Sequence, residues 1–263
     1  MNFKHPTILV RKLRSVLFTL FNRMENNNNA DFHTNGEERF LYDMFSSLQG
    51  EVVLFDIGAN IGAYSEILVE QCKQRSLKYS LHIFEPTRSC FEALKNKFAA
   101  DPAIILNNAG VSKAKGKSTI FYDAEQSGFA SLYQRDLAAD KIALNKSETI
   151  SLIRLDEYIT QNKISAIDFM KIDIEGHELF AFEGLGKYLN ADFVKAIQFE
   201  YGGANLDSHT TLKSLYAMLE KSGFVVGKIM QHGIEIRPYT LSMENYQYAN
   251  YVAFSKIHFS ELR

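Results

Sequence analysis

From residue 51 onward, short apolar runs rich in β-branched residues alternate with segments whose apolar positions recur every three or four residues. Period two marks a strand and period 3.6 a helix. Residues 52–57, 80–84, 103–106, 167–172, 193–200, 224–230 and 248–254 read as strands, and 118–122 as an extra one. Helical spacing fills 36–48, 63–72, 89–99, 178–189 and 210–222. The Glu183-Gly184 step is expected to break the fourth of these, and Gly223 closes the last. Parallel strands need crossovers long enough for a helix, so this alternation predicts an α/β fold around a mostly parallel sheet. The last two strands have no good helix between them and predict an antiparallel hairpin at one edge. Residues 123–149 are polar and weakly periodic; a lid over a site and a surface insertion both fit them.

The N-terminal pattern differs. Over 7–24, Leu9, Leu13, Val16, Leu17, Leu20, Phe21 and Met24 follow helical spacing, with Arg11, Lys12, Arg14 and Arg23 among them. Such a helix packs on the domain or on a second subunit, or lies on an anionic membrane surface. No apolar run is long enough to span a bilayer, and charges interrupt the run where a cleaved leader would need continuity. Asn26 to Asn29 read as a linker. The expected organisation is therefore an amphipathic helix with an Asn-rich linker over 1–30 and one α/β domain over 31–263.

Composition narrows the partners. The 263 residues carry a formal net charge of -2 and no basic stripe interleaved with aromatics, so nucleic acid is not an expected partner. Cys72 and Cys90 lack metal-like spacing and read as packing residues of a reduced, cytoplasmic protein, with 7–24 as the part that would touch the inner membrane surface. The same helix is the candidate seam of a homodimer. His5, His33, His82, His209, His232 and His258 are scattered; His82 sits within an expected strand, and the others read as surface or loop positions.

The chemistry concentrates where strands end, because open α/β sheets bind ligands at their carboxyl edge. The first strand runs into Asp56-Ile57-Gly58-Ala59-Asn60-Ile61-Gly62. Gly58 permits a sharp turn, and Gly62 opens the next helix. The spacing is not the dinucleotide fingerprint. An acid before the first glycine would repel a pyrophosphate but suits a ligand with a sulfonium and an ammonium. Asp56, Gly58, Asn60 and Gly62 are therefore the expected cofactor loop for S-adenosylmethionine. Glu85, at the end of the second strand, is placed to accept hydrogen bonds from both ribose hydroxyls. After the third strand, Asn108 and Ala109 are candidates to read and flank an adenine.

The most specific string is Met170-Lys171-Ile172-Asp173-Ile174-Glu175-Gly176-His177-Glu178. With the 55–62 loop, Phe84-Glu85-Pro86 and Gln198-Phe199-Glu200-Tyr201, it resembles the FkbM family of methyltransferases over about residues 50–255. The resemblance implies a class I, Rossmann-like methyltransferase fold and methyl transfer to oxygen of sugars, polyketides or other secondary metabolites. Deprotonating a hydroxyl calls for a base, and His177 titrates in the right range unaided. His177 is thus the expected base, Asp173 the organiser of acceptor or cofactor amine, and Glu175 a third candidate. Asp173, Glu175 and Glu200 offer oxygens to a divalent ion, but no fixed spacing marks a metal site, and a solvated acidic rim is the favoured reading. Two rivals remain: an NAD-dependent oxidoreductase on a similar sheet, and a catalytically silent cofactor-binding module.

Overall fold

A computed structural model describes residues 7–256 of the chain; His5 and His258 lie outside them. Eight strands form one sheet in the order β10-β9-β11-β8-β7-β1-β2-β3. They are β1 (Glu51–Ile57), β2 (Lys78–Phe84), β3 (Ile104–Asn107), β7 (Ile167–Ile172), β8 (Val194–Tyr201), β9 (Phe224–Met230), β10 (Gly233–Ile236) and β11 (Ala249–Ser255). β1, β2, β3, β7 and β8 pair in parallel. β11 runs antiparallel between β8 and β9. The expected antiparallel pair of C-terminal strands is present, but it is not the outermost element. The edge is closed by β10, which folds back on β9. β4 (Gly110–Val111), β5 (Gly116–Tyr122) and β6 (Lys146–Ile153) form a second, small sheet, in which Tyr122 pairs with Lys146.

Helices cover both faces of the large sheet, and strand periodicity decides which residues meet them. In β1, Phe55 and Ile57 join the core under α5 (Leu155–Gln161), α6 (Glu178–Leu185) and α7 (Leu212–Lys221). Val52 and Leu54 join the opposite core under α2 (Glu37–Ser46), α3 (Ala63–Gln74) and α4 (Arg88–Phe98). β7 is buried along its whole length, as a central parallel strand must be. α6 does not break at Gly184. It runs on to Leu185 and ends at Gly186, which takes a left-handed φ of 52°. A Cβ at Gly184 would collide with the Ser112 carbonyl, so that glycine serves close packing.

Two N-terminal expectations change. α1 (Ile8–Met24) is not packed on the domain: Asn22 is its one buried residue. Asn26–Asn29 are not a free linker. Asn26 and Asn28 take left-handed φ of 54° and 57°, which asparagine tolerates. The Asn26 amide donates to the carbonyls of Asn35 (2.6 Å) and Ile229 (3.0 Å). Lys228 donates to Asn27 Oδ1 at 2.6 Å, and the Asn28 N–H reaches the Tyr248 carbonyl at 2.8 Å. The tract is a knuckle that seats the helix base on the ends of β9 and β11.

Candidate active site

One cavity of about 280 Å³ opens at the carboxyl edge of β1, β2, β7 and β8. Its floor is set by backbone bonds. The Gly58 and Ala59 N–H groups donate to the Phe84 carbonyl, and the Asp173 N–H donates to the Ile57 carbonyl. Gly58 has a φ of 86°, and a Cβ there would collide with the Asp173 carbonyl, so only glycine lets the β1 and β7 exits close together.

Of the residues expected to bind cofactor, Gly58, Asn60, Glu85, Ala109 and Asp173 line the cavity. Asp56, Gly62 and Asn108 do not. Period two puts Asp56 on the face of β1 that carries Val52 and Leu54, toward α3. Its carboxylate is buried and accepts from Ser65 Oγ at 2.5 Å. Burial raises its pKa, and the Lys171 charge opposes the rise. Direct contact with a sulfonium is therefore not its role. Gly62 packs under Leu94 and Phe98, and the Asn108 amide donates to the Glu85 carbonyl at 2.9 Å.

Glu85 is nearly surrounded. Oε1 accepts from the Thr87 N–H (2.8 Å) and Oγ1 (2.6 Å), and Oε2 from the Asn60 N–H (2.9 Å). Burial pushes its pKa up to about 7, against the lowering effect of these bonds. A carboxylate has about four acceptor sites, so Oε2 keeps room for one further donor rather than the two ribose hydroxyls expected.

The second cluster lies at the exits of β7 and β8. Oxygens of Asp173, Glu175 and Glu200 fall within 4.8 Å of one another, an arrangement that can receive a divalent ion. Two of the three are already matched by cations. Lys171 Nζ sits 2.6 Å from Asp173, and Arg135 sits 2.6 Å from Glu175 and 3.2 Å from Asp207. Burial alone would lower the Lys171 pKa. The carboxylates of Asp173, Glu37 and Asp56 outweigh it and hold the ammonium firmly charged. Glu175 is raised by burial and by Asp173, despite Arg135. Glu200 is raised well above the usual range by burial and by the neighbouring acids, and its carboxylate makes no hydrogen bond among the described residues.

His177 lines the cavity but is ill placed to act as a free base. Nδ1 is 2.7 Å from Tyr133 Oη and Nε2 is 2.9 Å from Ser112 Oγ, so both nitrogens are engaged. The ring lies against Phe180, with centroids 4.6 Å apart. Burial, helped by the Lys113 charge, lowers its pKa to about 4. The geometry makes it a clip between the strand exits and residues 123–145.

That segment is a lid. Ser127, Gly128, Ala130 and Leu132 line the cavity. Asn60 Nδ2 donates to the Ser127 carbonyl at 3.1 Å, and Ser131 Oγ to the Glu175 carbonyl at 3.0 Å. Ser131 also pairs with Phe121, which folds the lid back on β5. Residues 146–149, expected in the same loop, belong to β6. Ile150 and Leu152 of β6, with Ile120, Ala109 and Val111, make the apolar end of the cavity. Sequence reasoning places Ala109 at this wall but misses its Ile120, Ile150 and Leu152, and it misses Tyr133 and Arg135. The alternation Ser147, Thr149, Ser151 against Ile150 and Leu152 was the available signal for the wall; for the lid contacts there was none.

Residues 56–226 match the Methyltransferase FkbM domain. The hexuronic acid methyltransferase AglP of Haloferax volcanii is 27% identical over 157 residues, which cover 59% of this chain and 59% of AglP. The chain thus matches less than two thirds of the length of that curated relative. The crystal structure of a methyltransferase FkbM from Methylobacillus flagellatus KT superposes with a TM-score of 0.50 at 17% identity, over 94% of this chain and 60% of that one. The shared fold is the class I methyltransferase sheet, mostly parallel with an antiparallel C-terminal edge. The matched span takes in the glycine loop, Glu85, the 170–178 string and Glu200, and the chain belongs to the FkbM methyltransferase family.

Proposed function

We propose that the protein moves a methyl group from S-adenosylmethionine to a hydroxyl oxygen of a sugar, glycan or similar small acceptor. The observation that carries this reading is the division of the cavity. Ala109, Val111, Ile120, Ile150 and Leu152 offer an apolar surface for a flat ring, Glu85 an acceptor for a ribose hydroxyl, and Asp173, Glu175 and Glu200 a negative end for a cationic amino acid moiety. Adenine, ribose and a sulfonium amino acid follow that order. A pyrophosphate would meet three carboxylates, which argues against NAD.

S-adenosylmethionine, when bound, supplies an electrophilic methyl group. The chain's own residues bind, align and take the proton. Asp173, paired with Lys171 at 2.6 Å, is placed to receive the ammonium of the donor. Glu200, whose carboxylate burial and the neighbouring acids make more basic than an ordinary one, is the better proton acceptor for a hydroxyl. His177 and Arg135 hold the lid. Water exclusion under the lid strengthens each of these charges. A sugar acceptor is supported by the relative's activity on a hexuronic acid.

Titration calorimetry with S-adenosylhomocysteine and with NAD tests the donor. Mass spectrometry and NMR of a panel holding glucuronic acid and neutral hexoses test the acceptor and the oxygen linkage. Heat with NAD alone would replace this reading with the oxidoreductase one. S-adenosylhomocysteine binding without methylation of any hydroxylated acceptor would favour a silent binding module.

A further inference from the structure

Among the described residues the helix α1 buries only Asn22 on the body of the protein, yet it presents a continuous apolar face. At about 100° per residue, Leu9, Leu13, Leu17, Leu20, Phe21 and Met24, joined by Val10 and Val16, fall on one arc of roughly 140°. These eight side chains are 39–78% exposed. Arg14 borders the arc on one side; Lys12 and Arg23 border it on the other. Arg11, Ser15, Thr19 and Asn22 share the far face with Ile8, and Phe18 falls between Arg11 and Arg14. Residues 7–24 contain no Asp or Glu. The next residue, Glu25, is neutralised by the body through Lys228 (3.4 Å) and Arg237 (2.8 Å), so the helix keeps an unopposed positive charge.

We propose that α1 lies in the interface of an anionic lipid bilayer and holds the enzyme on a membrane surface. The width of the arc and the placement of its cations select this occupant. Cations on both borders can extend to lipid phosphates while their stems stay with the apolar face. A seam with a second copy would use a narrower stripe. It would also set Lys12, Arg14 and Arg23 against their counterparts, with no acid on the helix to pair them. No helix among the described residues is long and apolar enough to cross a membrane, so the contact is peripheral.

The Asn26–Asn28 knuckle makes the contact consequential. It bonds to Ile229 at the end of β9 and Tyr248 at the start of β11. Tyr201 of β8 pairs with Ala249 of β11, so this is the carboxyl edge of the sheet, the edge that holds the cavity.

The test is co-sedimentation of the full chain with phosphatidylcholine vesicles, with and without phosphatidylglycerol. The expected result is binding to the anionic vesicles that weakens in high salt. The double variant Leu13→Glu/Leu17→Glu should lower partitioning at least about a hundredfold. The triple variant Lys12→Gln/Arg14→Gln/Arg23→Gln should lower it by about the same factor and erase the preference for phosphatidylglycerol, at roughly fivefold per cation. Unchanged thermal unfolding would show that these exposed substitutions leave the fold intact. The proposal is overturned if wild type and Leu13→Glu/Leu17→Glu sediment equally with anionic vesicles. It is also overturned if the wild type ignores vesicles and forms a dimer that this variant dissociates.

Discussion

The proposed donor side and the proposed acceptor side of the cavity are built by different means. The donor side rests on main-chain bonds between adjacent strand exits: Gly58 and Ala59 to Phe84, and Asp173 to Ile57. The acceptor side is a lid tied down by long side chains from distant parts of the chain: Tyr133 to His177, Arg135 to Glu175 and Asp207. Main-chain ties cost little side-chain entropy and leave one geometry. Side-chain clips are individually worth about 1 kcal/mol, and can open without disturbing the sheet. The difference predicts that damage to the donor side abolishes binding, whereas damage to the clips changes mainly how the acceptor is held.

The largest expected effect is at Gly58. Gly58→Val forces a β-branched residue into a left-handed φ and drives its Cβ into the Asp173 carbonyl. S-adenosylhomocysteine binding should vanish, and the melting temperature should fall by about 10 °C. Normal calorimetric binding by this variant would break the contrast outright. Next comes Glu200→Gln, which removes the proposed proton acceptor while keeping its shape. Turnover at saturating acceptor should drop at least about a hundredfold with donor affinity preserved; a rate near wild type would move the base elsewhere.

Glu85 gives an effect with a pH signature. Its folded pKa is about 7 against an ordinary value of 4.5. A raised folded pKa means that its contribution to stability is full below 4.5 and is lost as pH rises through 7. Ligand affinity runs the other way. The ionised carboxylate is the better acceptor for a ribose hydroxyl, so binding should strengthen as pH rises toward 7 and level off above it. Glu85→Gln should flatten both profiles and weaken binding by about ten- to a hundredfold. A wild-type binding curve that is flat from pH 5.5 to about 8 would be inconsistent with this assignment.

The smallest effects belong to the clips. Arg135→Ala frees Glu175 and Asp207, and His177→Ala frees Tyr133 and Ser112. Each should raise the acceptor KM about tenfold while changing kcat less, because the lost bonds hold the lid rather than the reacting atoms. A kcat loss above about a hundredfold in His177→Ala, at unchanged KM, would restore that imidazole as the base.

What could be read from sequence follows the same division. The donor side is built from short, separately legible pieces: a β-branched run leads straight into a glycine-spaced turn, and Glu85 ends the next strand. The 170–178 string is equally plain, and two of its acids, Asp173 and Glu175, converge with Glu200. The orientation of Asp56 is also legible in principle, since period two groups it with Val52 and Leu54, although an acid before a glycine points by charge to a cationic ligand. The acceptor side was not legible. Arg135 meets Glu175 and Asp207 only through the fold, and nothing local at 123–145 announces either partner. β6 hid because its apolar positions alternate with Ser and Thr in a segment otherwise polar. The Asn-rich knuckle read as a linker because its partners, Ile229 and Tyr248, are some two hundred residues away.

The β5–β6 hairpin fixes where the lid is mounted. Tyr122 and Lys146 face each other in an antiparallel pair, so the lid leaves and re-enters the fold at one point. Any replacement stretch that closes the same short gap can be grafted there at small entropic cost. The hairpin is a cassette mount: a lid of another sequence could be seated there with the main-chain bonds among the β1, β2 and β7 exits left as they are.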